Sequence, residues 1–427
     1  MSRFSDYISQ QSSDLWHVFV TELKRIVRDP GVVLIFFIAG LGYPIVYNLI
    51  YWNDTLTDVP VAVVDMDNSP ESRRFLHDWE ATPDVKISYI CYSMQEAELL
   101  MKQQKIHGIL YIPSDYSRAL QTAGAQAHIS IYADMSSFLY MKAVYMSANM
   151  VMLDEMHNVQ IDRYERMGMD DQTAWTLVQG IPYEPVTLFN PDGGYSTFLI
   201  PAMLIMILHQ TLFFGIGMLA GTAREENETL YFLPNRKRRR SVFRIIGGRA
   251  LAYFVVYLGI TAIDLLLVPR LFHLPHVGNP LTIMSFAIPF LLATIFFSMT
   301  VSLTVRNRET GMVTLLATTL IMFFITGVSW PQELLPKFWL YLSYLIPATW
   351  GIHGFLHINT MGANLTIAAL QYHALWGLAA MYGLLATGGL WLQGYLYEQR
   401  QAAKQAAKQA AELPDTSLQN TDHIVTT

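Results

Sequence analysis

Long uncharged runs separated by short charged breaks make up most of this chain, and one block of mixed polar and apolar residues interrupts them. Gly31 to Tyr51 carries no charge for 21 residues, enough to cross a bilayer. Tyr51 and Trp52 stand where an interfacial aromatic belt is expected. Gly193 to Ala223 is uncharged again and predicts a second span over about 197–221. Further spans follow over about 250–268, within 281–305, over 311–329 and over 373–395. From Phe338 to Tyr397 there is no Asp, Glu, Lys or Arg. That run exceeds one span and is too interrupted for two. It predicts short helices dipping into the membrane surface over about 333–360, where irregular backbone must be covered by protein or face a cavity.

Residues 53–192 read differently, as strands alternating with helices. VPVAVVD (59–65), VKISYI (85–90), HGILYIP (107–113) and AHISIYAD (127–134) are strand-like. Ser69-Pro70-Glu71 and Ser93 to Glu96 are helix starts. Ser136 to about Gly180 reads as one or two long helices broken near Gly168. At the N-terminus, residues 1–30 predict an interfacial element. Leu15, Val18, Phe19, Leu23 and Ile26 share a helical face there, with Glu22, Lys24 and Arg25 turned away. An ordinary lead-in to the first span is the other reading. Arg28, Asp29 and Pro30 end it. The tail from Glu398 predicts a polar helix fading into disorder over 399–427.

Composition agrees with a membrane protein: of 427 residues, 52% are hydrophobic and 15% charged, against about 25% charged in soluble domains. The lone Cys91 excludes an intrachain disulfide, and no cleavable signal peptide is evident. Charge asymmetry sets the topology. The pieces predicted to be cytoplasmic hold 17 Lys and Arg, whereas the two short outer loops hold only Arg270 and Lys337. Both ends are therefore expected inside. The expectation is an α-helical polytopic membrane protein of the bacterial cytoplasmic (inner) membrane with six transmembrane helices. An α/β extracytoplasmic domain (53–192) lies between the first helix (31–52) and the second, and helices two to six occupy 193–398.

Arg224 to Arg249 holds eight of the 28 Lys and Arg and predicts a cytoplasmic loop, because each charge at the bilayer centre costs roughly 2.5–3.5 kcal/mol. Its acids Glu225, Glu226 and Glu228 precede the run Arg236 to Arg240. The basic run marks topology. The acids are either a solvated helix start or a partner contact. Asp264 is an acid at membrane depth and so a candidate for the pathway through proton coupling; the other reading is that it sits near the outer surface and caps a helix or pairs with Arg270. His209 either lines the pathway or is a hydrogen-bonded core histidine. His353 and His357 are spaced i, i+4 but lack a third metal ligand, so no metal site is expected. No GxxxxGK[ST] phosphate loop is present. ATP and Mg belong on another polypeptide, and this chain is expected to be no enzyme and to bind no cofactor itself.

Three patches resemble the membrane subunit of bacterial type-2 ABC exporters, in the branch with a large external domain after the first span. They are VAVVDMDNSPESRRF with HGILYIPSDYS, TAREENETLYFLPNRKRRR, and WPQELLPKFWLYLSYLIPATWGIHGF. The resemblance runs from about residue 15 to 398. It departs from the family where Glu228 stands in place of a Gly before the loop Thr. The resemblance implies that a short helix from Ala223 to Leu233 sits in a groove of a separate ABC ATPase. Arg224, Glu225, Glu226, Glu228 and Thr229 would form the coupling contact, and Glu22 of the N-terminal helix a second one. It also implies an outer re-entrant segment at 330–360 shaped by Pro331, Pro336 and Pro347. Six spans make half of a two-fold pathway, so a second permease subunit, identical or related, is expected. A periplasmic adaptor and membrane lipid are further expected partners, and nucleic acid is not. The function implied is export of an amphipathic, drug-like or lipid-like substrate. The alternative is a non-transporting receptor or scaffold whose external domain binds an envelope partner.

Overall fold

The computed structural model describes residues 2–122, 124–179, 186–191, 193–226 and 242–412. The chain divides into two compact units, Met1–Trp52 with Gly193–Thr427, and Asn53–Asp192.

The first unit is helical. Helix α1 (Ser2–Arg28) is followed by a broken first span: α2 (Pro30–Val33), a π-type stretch (Leu34–Ala39) and α3 (Gly40–Ile50). Asp29 and Pro30 start that span as cap and first helical residue, the pairing that satisfies orphan N–H groups without needing one from proline. Among the described residues five helices can cross a membrane by length and composition: Pro30–Ile50, Tyr195–Glu225, Val242–Leu271, Pro280–Ser302 and Ala369–Leu396. The helix Arg308–Ile325 has 18 residues and only its shorter apolar part, Gly311–Ile325, is of that character. The fold is thus that of a polytopic helical membrane protein.

The second unit holds a four-stranded sheet in the order β2-β1-β3-β4, with β1 (Val59–Asp65), β2 (Val85–Ile90), β3 (Gly108–Ile112) and β4 (Ser130–Ala133). β1 runs parallel to β2 and β3, and β4 is antiparallel to β3. β1 is covered on both faces, which explains its unbroken apolar sequence. Val61 and Val63 join a core with α4 (Pro70–Glu80) and the later, long helix α7. Ala62 and Val64 pack on the opposite side with Ala97 of α5 (Met94–Lys102) and with Ile106. After β3 the chain passes through α6 (Tyr116–Gln121) and β4 into α7 (Phe138–Arg166) and α8 (Asp171–Val178). Gly168, at φ +90, ends the long helix where the sequence places the break.

Returning to the first unit, α9 (Tyr195–Glu225) is its central helix, buried along most of its length. It packs against α3 and three later helices: α12 (Pro280–Ser302), α13 (Arg308–Ile325) and α15 (Pro347–Phe355). Between α9 and α12 lie α10 (Val242–Ala262), a π-type stretch (Ile263–Leu267) and α11 (Val268–Leu271). α14 (Lys337–Ser343) and α16 (Ala369–Glu412) complete the unit. Two boundaries differ from the sequence reading. Residues 242–249 are helix rather than loop, because α10 begins well before the apolar run. Residues 223–225 continue α9 instead of opening a separate short helix.

Close approach between helices rests on small residues. At Gly215 of α9 an added Cβ would lie 1.9 Å from the ring of Phe36. That ring cannot retreat: Phe36 is fully buried and edge-on to Tyr253 and Tyr257, with centroids at 6.2 Å and 4.9 Å. Gly215→Ala is expected to destabilise the membrane unit by about 1–3 kcal/mol through overpacking. Combining it with Phe36→Leu should restore much of the loss, as read by thermal unfolding in detergent.

Candidate functional site

Several helix ends meet at the end of α9, and polar side chains join them. Asp29 caps α2 by accepting from the N–H groups of Gly31 (3.0 Å) and Val32 (3.2 Å). The same carboxylate receives a two-pronged contact from Arg308, the first residue of α13: Nη1 to Oδ2 at 2.5 Å and Nη2 to Oδ1 at 2.7 Å. Bidentate guanidinium–carboxylate pairing is the strong form of such a bond. Arg308 Nη1 also donates to Thr222 Oγ1 of α9 at 3.0 Å. Bonding to Arg308 holds the Asp29 carboxyl below its ordinary range, against an opposing effect of burial.

Glu225, at the last turn of α9, accepts from the backbone N–H of Arg308 at 2.9 Å. It thereby caps α13 from outside, with its negative charge at the positive end of that helix. The backbones come close enough here that a Cβ on Gly221 would stand 2.8 Å from Arg308 Cα. Arg224 reaches the other way. Its Nη2 donates at 2.7 Å to the carbonyl of Leu303, the C-cap of α12, and Gln393 of α16 donates to the same carbonyl at 3.0 Å. Adjacent residues of α9 therefore hold the end of α12 and the start of α13. Glu226 is exposed and is the last described residue before the break. Glu228, Thr229 and the run Arg236 to Arg240 lie outside the described residues.

The N-terminal helix is tied in by a second cluster. α1 packs along α10. Glu22 is fully buried and accepts from Arg249 Nε at 2.9 Å and from the Tyr253 hydroxyl. Arg244 pairs with Asp14, five residues before Arg249 on α10 and eight before Glu22 on α1. Two expectations are corrected here. Glu22 is not turned away from the apolar face, because i, i+4 spacing puts it between Val18 and Ile26, both fully buried. Arg249 is not a loop cation but a residue of α10, with 8% of its surface exposed. A charge on a buried face is tolerated because its countercharge arrives from 227 residues away.

The remaining candidates are scattered. Asp264 lies in the π-type stretch, completely buried, and neither carboxylate oxygen has a hydrogen-bond partner among the described residues. The expected pairing with Arg270 is not formed: Arg270 is exposed on the following turns. His209 is a core residue between Phe213 and Phe297, with ring centroids at 6.2 Å and 5.5 Å. Neither ring nitrogen has a hydrogen-bond partner among the described residues. In the 330–360 segment each singled-out proline starts a helix. Pro331 and Pro336 precede a 3-10 turn and α14, and Pro347 opens α15. Thr349 Oγ1 and Tyr382 OH donate at 2.7 Å to the carbonyls of Ser343 and Leu345, meeting polar backbone between those short helices. Among the described residues no group of three or more His, Cys, Asp or Glu could hold a metal, His353 and His357 included.

The sequence reading missed Asp29, Thr222 and Arg308 as a unit. Asp29-Pro30 carried a usable signal, a cap followed by a first-turn proline. Nothing local indicates that Arg308 is its partner. Truncating Asp29 to Ala should cost about 2 kcal/mol, the range for a charge-assisted bond. A depressed carboxylate pKa contributes stability above its unfolded value and loses it as pH falls through the folded one. The loss on Asp29→Ala should therefore be constant across neutral pH and shrink only in acid, as measured by thermal unfolding against pH. Glu22→Ala strands Arg249 and should cost about 3–5 kcal/mol, whereas Glu22→Leu with Arg249→Met should recover most of it. A double-mutant cycle reads the coupling.

Comparison with known proteins bears on the whole arrangement. Residues 31–387 match the family model described as ABC-2 family transporter protein. The chain is 25% identical over 341 residues to a probable multidrug ABC transporter permease, YbhS, of Escherichia coli K12, covering 77% of this chain and 84% of that protein. It is 24% identical over 363 residues to the linearmycin resistance permease protein LnrN of Bacillus subtilis 168, covering 81% and 91%. This helical membrane protein, with its polar ties at the helix ends, belongs to the ABC-2 family of transporter permeases.

Proposed function

We propose that the chain is the permease subunit of an exporter, coupled to a separate ABC ATPase that binds ATP and Mg. In this reading it moves an amphipathic, drug-like or lipid-like molecule out of the cytoplasm or the inner membrane. The chain crosses the inner membrane six times, with α13 as the fifth span. Both termini are cytoplasmic, and Asn53–Asp192 is extracytoplasmic. A second permease subunit completes the pathway, and a periplasmic adaptor can engage the external unit. Support for the export reading comes from the relatives, named for multidrug transport and for linearmycin resistance.

The observation that carries the coupling mechanism is the shared set of bonds at the end of α9. Arg224 and Glu225 hold α12 and α13, and Thr222 bonds the same Arg308 that Asp29 grips at the start of the first span. A displacement of the 223–235 segment by an ATPase is thus delivered to three spans at once. The N-terminal helix moves with α10 through Glu22 and Arg249. Glu22 acts in this scheme by locking the two helices together, because its burial leaves it no surface for a partner.

Glu226 is the cleanest probe, since it is exposed and its side chain holds no other helix among the described residues, whereas Glu225 also caps α13. Glu226→Lys is expected to weaken association with the ATPase about tenfold, ~1.4 kcal/mol, with thermal stability unchanged. Glu225→Lys with Glu226→Lys should abolish both association and export. Co-purification and substrate-stimulated ATPase activity in proteoliposomes test this. Unchanged association in both variants would sink the coupling assignment.

A further inference from the structure

Within Asn53–Asp192 a pocket of about 470 Å3 lies between α4, α7 and α8, in the ~300–1,000 Å3 range of small-molecule sites. Two of its walls are fixed to each other. The Trp79 indole N–H donates to Ser147 Oγ at 3.1 Å, and Arg74 Nη2 donates to Glu155 Oε1 at 2.6 Å, so α4 is tied to α7 at two levels. A pocket held in this way loses little freedom when a ligand enters. α8 closes the third side, with Ala174 buried and Asp170 accepting from the Thr173 N–H at 3.1 Å as its cap. Met150 and Asp154 stand one turn apart on α7 and both line the pocket, with Glu155 beside them. Asp78 comes from the last turn of α4, and Trp175 from α8.

The lining carries charge of one sign. Asp78, Asp154 and Glu155 are in it, and no Lys or Arg is. Arg74 answers only one oxygen of Glu155. That side chain is 6% exposed, and its Oε2 has no hydrogen bond among the described residues. The side chains of Asp78 and Asp154 have neither a hydrogen bond nor an ion pair among the described residues. An anion is therefore repelled. A bare metal ion does not fit either: His157 also lines the pocket, yet among the described residues no three His, Cys, Asp or Glu converge on one point. The dispersed negative charge calls for a cation with a body. Trp175 is 42% exposed and offers an indole face, the best aromatic surface for an organic cation. Met150 adds an adaptable apolar wall. Ionised carboxylates accept hydrogen bonds and cannot donate them, so a ligand rich in N–H donors gains most here.

We infer that the pocket between α4, α7 and α8 binds a small organic cation, an amine carried on an apolar ring system. The ring lies against Trp175 and Met150, and the positive charge is met by Asp78, Asp154 and the free oxygen of Glu155. The inference stands on the fold of Asn53–Asp192 alone and holds whichever molecule the permease moves. The full chain in detergent is titrated by isothermal calorimetry with dansylcadaverine, an aromatic primary amine, and with its N-acetylated form, which keeps the ring and loses the charge. The amine is expected to bind saturably at one site, and the acetylated form about tenfold more weakly. Asp78→Asn and Asp154→Asn should each weaken the amine about fivefold, ~1 kcal/mol, and leave the acetylated form unaffected. Trp175→Leu, which keeps an apolar side chain without a ring face, should weaken the amine about threefold. Thermal unfolding of the two Asn variants should match the parent, because neither carboxylate holds another element. Equal binding of the two compounds that these substitutions leave unchanged would mean partition into the micelle or the spans and overturn the site. Saturable binding of oligolysine without binding of the amine would make the pocket a contact for a basic protein and also overturn it. Absence of amine binding at millimolar concentration would do the same.

Discussion

The Arg308 guanidinium lies between the Asp29 carboxylate and the Thr222 hydroxyl, and the N–H of the same residue is held by Glu225. Arg308 opens a helix that has four orphan N–H groups and little intrinsic length to spare. The residues that meet it come from the first span and from the central helix. Hydrocarbon offers no hydrogen bonds, so polar chemistry organises a bundle most cheaply at the ends of its helices. In this permease one such cluster converges on Arg308. The rest of the helical unit follows: α9 is buried by its neighbours, and its last turn distributes bonds to two of them.

The N-terminal helix uses a costlier version of the same device. Glu22 and Arg249 are both nearly or fully buried. Removing two charges from water is offset only by close geometry and additional bonds, here from Tyr253. The gain over an apolar contact is register: the pairs Glu22–Arg249 and Asp14–Arg244 fix how α1 sits along α10, where a purely apolar face could slide. A helix so registered transmits displacement to the bundle instead of rolling on it, which links its packing to the coupling role proposed for this end of the molecule.

The opposite end is built differently. Around 330–360 the helices are short and each begins at a proline, and side-chain hydroxyls meet backbone carbonyls between them. One end is therefore held by directional charge and the other by apolar packing with a few hydroxyl bonds. Rearrangement of the second kind of contact needs no charge to be stripped of its partner.

The apolar runs located the long helices, because a span must be uncharged over about 20 residues whatever it packs against. Strands 59–65 and 85–90 and the break at Gly168 were legible from apolar runs and turn chemistry alone. That the prolines of 331–347 each start a helix came from the structure. The short reach of α13 and the early start of α10 were not legible, since the first has too few apolar residues and the second hides Arg244 and Arg249 inside a helix. Nor could the sequence pair Glu22 with Arg249 or Asp29 with Arg308, partners separated by 227 and 279 residues. Solvation cost tells a single sequence which segments leave water, and periodicity tells it which face is apolar. Only the tertiary structure decides which buried charge meets which, because that depends on helices brought together by packing rather than by anything written beside them in the chain.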